Sequence, residues 1–210
     1  EIGPQVLRPD GTVFVAGATA HTGVYTPPSS TTGAGTWAVG PDFPTSVTGQ
    51  LDSVDGPAVL LPNGNVLVNA SPGVYKAPSY YYEFDGTRLN ATNAPTFASF
   101  YPSYNARLLI LPTGQVLHMD GNSLASVYTP LGSPNPAWAP RIATAPSAVT
   151  RGQTYQISGT QFNGLSQAVG YGDDYQAATN YPLVRITNRA TGHVFYARTH
   201  DHSTMGVATG

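Results

Sequence analysis

One short motif constrains this chain more than any other: a Pro-x-Gly turn that recurs three times between apolar runs. The copies are Val6-Leu7-Arg8-Pro9-Asp10-Gly11-Thr12-Val13-Phe14-Val15-Ala16-Gly17, Val59-Leu60-Leu61-Pro62-Asn63-Gly64-Asn65-Val66-Leu67-Val68-Asn69 and Ile110-Leu111-Pro112-Thr113-Gly114-Gln115-Val116-Leu117-His118-Met119-Asp120-Gly121. Their glycines, Gly11, Gly64 and Gly114, stand 53 and 50 residues apart. Proline fixes φ and glycine takes the left-handed position that closes the turn, so each copy reads as a β-hairpin. A third strand is expected after the first and third hairpins, where Val24-Tyr25-Thr26-Pro27 and Val127-Tyr128-Thr129-Pro130 correspond. The second copy carries Tyr81-Tyr82-Glu83-Phe84-Asp85-Gly86 there instead. Trp37 opens a fourth strand, and Trp138 is expected to do the same in the third copy.

Long helices are excluded by composition. Among 210 residues there are 23 Gly and 19 Pro, and only 10% are charged, whereas helices need uninterrupted Ala, Leu, Glu, Lys and Arg. With 40% apolar residues the chain still buries a core. An all-β class remains. Four strands in roughly 50 residues is the unit of a kelch-type β-propeller blade. The expected fold is therefore about three blades of a larger ring, over residues 1–45, 46–100 and 101–140. Three unrelated hairpins of a β-sandwich are the alternative.

A formal charge of −2 and scattered Arg make no basic patch, so nucleic acid is not an expected partner. No apolar run reaches the roughly 18–20 residues of a membrane helix, so no membrane insertion is expected. Cysteine is absent, which removes disulfides, thiolate metal sites and Cys nucleophiles. The opening Glu1-Ile2-Gly3-Pro4-Gln5 is neither a signal peptide nor a start at Met, and a processed or trimmed piece is expected.

After Pro140 the pattern changes. Ala143 to Gly152 reads as a linker, followed by strands at Thr154–Gly159, Leu183–Thr187 and His193–Arg198, with Asn188–Gly192 as a hairpin loop. Residues 141–210 are expected to form an immunoglobulin-like sandwich. At 70 residues, against about 100 for such domains, it is incomplete.

Tyr104-Asn105-Ala106-Arg107-Leu108-Leu109-Ile110-Leu111-Pro112-Thr113-Gly114-Gln115-Val116, Ala125-Ser126-Val127-Tyr128-Thr129-Pro130, Pro140-Arg141-Ile142 and Thr150-Arg151-Gly152-Gln153-Thr154-Tyr155-Gln156-Ile157-Ser158 together resemble the galactose oxidase and glyoxal oxidase group. In that family a kelch propeller is followed by an immunoglobulin-like (E-set) domain. The resemblance implies seven blades, so the missing ones would come from a longer polypeptide or from another chain. It also implies a copper ion held by two Tyr and two His, with one Tyr cross-linked to Cys. Tyr104 falls where the family has its axial Tyr. Asn105 replaces the neighbouring His, and Gln176, in Tyr171-Gly172-Asp173-Asp174-Tyr175-Gln176, or a residue beside it replaces the second. Amides are poor copper ligands beside imidazole, so a copper-free relative is expected.

The candidate ligand-binding residues are accordingly Tyr104, Asn105, Tyr171, Asp173, Asp174 and Gln176, on which a sugar would stack and hydrogen-bond. His200-Asp201-His202 is the one tight histidine cluster. On an extended strand His200 and His202 would share a face and approach one metal, with Asp173 or Asp174 as a third ligand; a polar strand end is the alternative. No cofactor is expected, and copper or zinc stays open at these positions. Asn69-Ala70-Ser71 and Asn90-Ala91-Thr92 fit the glycosylation triplet. Low charge with many Ser, Thr, Asn and Tyr fits a secreted or cell-surface protein, as the resemblance also implies. The expected function is an extracellular, non-catalytic carbohydrate-binding module. A copper-dependent oxidoreductase acting on sugars or aldehydes, and a structural subunit of a surface assembly, stay open beside it.

Overall fold

The Pro-x-Gly turns fold alike in all three copies. In this computed structural model, which describes residues 2–120, 122–132, 135–169 and 181–205, Gly11, Gly64 and Gly114 have φ of +82°, +88° and +81°. Their N–H groups donate to the carbonyls of Arg8, Leu61 and Leu111, each at 2.9 Å. The middle residue of each motif also works. Asp10, Asn63 and Thr113 accept, through a side-chain oxygen, the N–H of the residue two positions on, holding the chain for its return.

The protein is all-β, built from small antiparallel sheets, with helical turns confined to short 3-10 segments among the described residues. It divides into two compact units: Glu1–Ser133 with Leu165–Ala178, and Pro134–Gly164 with Thr179–Gly210. In the first unit, β1 (Ile2–Leu7), β2 (Val13–Gly17), β3 (Gly23–Thr26) and β4 (Thr36–Val39) form a four-stranded meander. A small ladder of β5 (Thr45–Ser46) and β6 (Gly49–Gln50) follows. The second sheet contains β7 (Ala58–Leu60), β8 (Val66–Ala70), β9 (Tyr80–Phe84) and β10 (Leu89–Thr92). The third has β11 (Arg107–Ile110), β12 (Val116–Met119) and β13 (Ala125–Tyr128). Its expected fourth strand does not form. Trp138 ends a 3-10 turn, Pro136–Trp138, in which the Asn135 side chain accepts the Ala137 N–H.

The second sheet is the core, because both of its faces are covered. Val59, Leu67 and Tyr81 pack with Val116, Leu108, Ile110 and Tyr128 of the third sheet. On the other face Phe84 stacks on Phe14 of the first sheet, ring centroids 4.4 Å apart, and Tyr82 meets Phe43 edge-on. The alternation of a strand delivers this: Tyr81 and Glu83 point one way, Tyr82 and Phe84 the other. The sheet gains a fifth strand, β16 (Gln167–Val169), antiparallel to β7. The first strands of all three sheets, β1, β7 and β11, approach β16.

In the second unit, β14 (Arg141–Thr144) pairs with β15 (Ser158–Thr160), and β17 (Val184–Thr187) with β18 (Val194–Ala197) across the expected hairpin loop. Of the expected strand at Thr154–Gly159 only Ser158 and Gly159 belong to a paired strand, and the Tyr155 hydroxyl accepts the Thr150 N–H. No described hydrophobic side chain of this unit is buried. Among the described residues neither a closed barrel nor a closed propeller is formed.

Candidate functional site

Tyr104 stands at the end of the sheets remote from the Pro-x-Gly turns, in a 3-10 turn, Ser103–Asn105. Its ring meets that of Tyr75 at 5.3 Å and 80°, an edge-to-face pair. Tyr75 is 76% exposed, and Tyr104 and Asn105 are half-buried.

A single buried serine connects the two loops that present these rings. Ser71, at the end of β8, accepts the Ser103 N–H at 3.1 Å, and the two hydroxyls lie 2.8 Å apart. The same Ser71 hydroxyl donates to the Gly73 carbonyl at 2.9 Å. Gly73, with φ of +96°, turns the chain into Tyr75. Both serines are fully buried. On the far side of Tyr104, Arg107 Nη1 donates to the Tyr104 and Ala106 carbonyls, each at 2.7 Å. Two aromatic surfaces are thus fixed by buried polar bonds, the arrangement that lets a flat or puckered ring stack without first ordering the loops.

Tyr75, and the part Ser71 plays beneath it, are not marked by any motif in the sequence. The available signal was the second repeat itself, which lacks Tyr-Thr-Pro and runs from Ser71 to Ser79 between β8 and β9, while residues 18–22 suffice in the first. Tyr171, Asp173, Asp174 and Gln176 lie outside the described residues. His200 and His202 do not share an extended strand. β18 ends at Ala197, and Asp201 adopts φ of +53°, which breaks the two-residue alternation. His200 Nδ1 lies 2.8 Å from Asp201 Oδ2, while His202 Nε2 lies 2.7 Å from Thr199 Oγ1. No group of three His, Cys, Asp or Glu suited to a metal occurs among the described residues. Among the described residues, Tyr104 offers a phenol and the neighbouring Asn105 an amide, and an amide is a poor copper ligand beside imidazole. Of the two glycosylation triplets, Asn69 is fully buried and donates to the Tyr81 hydroxyl, whereas Asn90 is exposed.

A second polar cluster is interior. Asn69 Nδ2 donates to the Tyr81 oxygen at 3.1 Å, and that hydroxyl lies 2.5 Å from His118 Nε2. Phe97 stacks over the imidazole. Burial pulls the His118 pKa down to about 4, against a smaller opposing pull from Asp120, and raises that of Tyr81. This cluster ties the second sheet to the third.

No family model, curated protein or solved structure matches the chain.

Proposed function

We propose that the chain is an extracellular, non-catalytic carbohydrate-binding module, with kelch-type propeller blades leading into an immunoglobulin-like domain. Its ligand stacks on Tyr75 and Tyr104. The observation that carries the reading is the edge-to-face pair of exposed Tyr75 and half-buried Tyr104, held from below by Ser71. Sugars offer C–H faces to aromatic rings and hydroxyls to neighbouring polar groups. Asn105 and Lys76, adjacent in the chain to the two rings, supply an amide and an ammonium. The propeller reading is supported by three successive sheets with one turn chemistry and by the approach of β1, β7 and β11 to a common strand. Low charge and abundant small polar residues support an extracellular setting.

A glycan panel followed by calorimetry on the best ligand tests the proposal. Tyr75→Ala and Tyr104→Ala should each weaken binding roughly tenfold, since an aromatic contact is worth about 1 kcal/mol and more with its buried area. Retention of no glycan, or binding indifferent to both variants, overturns it. Stoichiometric copper with Tyr104-dependent peroxide formation would instead establish the oxidoreductase.

A further inference from the structure

Two asparagines of this chain open an Asn-x-Ser/Thr triplet, Asn69-Ala70-Ser71 and Asn90-Ala91-Thr92, and the fold treats them in opposite ways. Asn69, on β8, is fully buried, and so is Ser71. The Asn69 Nδ2 donates to the Tyr81 hydroxyl at 3.1 Å, and that hydroxyl meets His118, over which Phe97 stacks. A bulky, hydrated oligosaccharide on Asn69 would force these close-packed groups apart.

Asn90 stands on β10, an end strand of the second sheet among the described residues, opposite Glu83 in register, and it is exposed. Its amide nitrogen carries two hydrogens. One donates to Asp85 Oδ2 at 2.9 Å, while the other reaches only the Glu83 carbonyl, 3.5 Å away. Asp85 is held besides by the Thr87 and Arg88 N–H groups, at 2.9 and 2.8 Å, so the turn keeps its form when the second hydrogen is replaced. The hydroxyl of the triplet is less free. Thr92 is half-buried, and its Oγ1 lies 3.0 Å from the Tyr128 hydroxyl on the third sheet. Tyr128 is made 36 residues later, so the threonine hydroxyl is open to an enzyme only until the third sheet has docked.

We infer that Asn90, and not Asn69, accepts an N-linked oligosaccharide when the chain is exported, and accepts it before the third sheet docks on the second. Acceptance at Asn90 rests on the extracellular setting of the proposed function, and not on a ligand at Tyr75 and Tyr104. The co-reactant is an oligosaccharide carried as a lipid diphosphate. Asn90 Nδ2 bonds to its anomeric carbon and gives up one of its two protons. The glycosyl–phosphate bond breaks, and the lipid diphosphate leaves with the bonding pair.

Secretion of the full 210-residue chain from yeast behind an added leader tests this. The folded product is treated with peptide N-glycosidase in heavy-oxygen water, which leaves a labelled aspartate wherever an oligosaccharide stood. Most copies should carry the label at Asn90 and none at Asn69. Asn90→Gln and Thr92→Val should each lose it, whereas Thr92→Ser, which restores the hydroxyl, should keep it. If a variant is not secreted, translation in the presence of microsomes gives the same readout. The folded chain made in bacteria should gain no oligosaccharide from microsomes that modify a short acceptor peptide. Unlabelled Asn90, label at Asn69 in the folded product, or a label that survives Thr92→Val would each overturn the site. Modification of the already folded chain would overturn the timing. Failure of the glycan panel concerns Tyr75 and Tyr104 and leaves Asn90 untouched.

Discussion

The Tyr81 hydroxyl and His118 Nε2 meet at 2.5 Å in the interior, one on the second sheet and the other on the third. Asn69 donates to the same hydroxyl oxygen, and burial keeps the imidazole neutral at pH 7. That pairing makes the contact between two sheets depend on acidity.

His118 has a folded-state pKa of about 4, below its ordinary 6.5. Protonation therefore favours the unfolded chain. The stabilisation is complete above pH 6.5, declines as pH falls through that value, and is gone near pH 4. Over that window the group contributes roughly 3 kcal/mol. Urea midpoints across this range should fall steeply for the parent chain and less steeply for His118→Gln. Parallel profiles would count against the assignment.

Tyr128 donates its hydroxyl to Glu83, which also accepts from Asn65 Nδ2 at 2.9 Å. Burial and the bond to Glu83 push the Tyr128 pKa up to about 12. Tyr128→Phe strips the buried carboxylate of one donor and should cost roughly 1.5 kcal/mol, the lower end for a bond to a charged group at a half-buried site. Thr92→Val, which removes the 3.0 Å neighbour of the same hydroxyl, should cost less. Equilibrium unfolding of both variants decides the order.

Phe14 and Phe84 are both fully buried. Either one replaced by Ala should cost about 3–5 kcal/mol. The double variant should lose less than the sum by about 0.5–1.5 kcal/mol, the value of the stacked pair beyond its buried area. Strict additivity would mean that the rings are neighbours without coupling.

At Gly64 a Cβ would meet nothing closer than Pro9 Cγ at 4.0 Å, so backbone conformation alone resists substitution. With φ of +88°, Gly64→Ala should cost roughly 1–2 kcal/mol and Gly64→Asn less, because asparagine tolerates the left-handed region. Thermal unfolding of the two variants should separate them in that order.

The hairpins were readable because proline and glycine act locally, and the bonds from Gly11, Gly64 and Gly114 are local bonds. Trp138 misled because tryptophan is indifferent to the element that carries it; Asn135 before Pro136 was the better signal, a cap followed by a residue preset for a helical turn. The face shared by His200 and His202 failed on one residue, Asp201, whose positive φ no alternation rule anticipates. Tyr104 was visible through its motif. Its partner Tyr75 was not, because their meeting depends on Ser71 and Ser103, 32 positions apart. The pairing of β16 with β7 had no signature at all, since nothing in Gln167–Val169 indicates which edge it will occupy.

That last pairing has a consequence for the order of events at the ribosome. Leu60 pairs with Gln167, more than 100 residues further along the chain. The three hairpins precede Val169 and close on short loops, but the β7 edge stays uncapped until Val169 has left the exit tunnel. For that interval the nascent chain carries an apolar strand with one unpaired edge. A segment made after all three sheets then supplies the strand that β1, β7 and β11 approach.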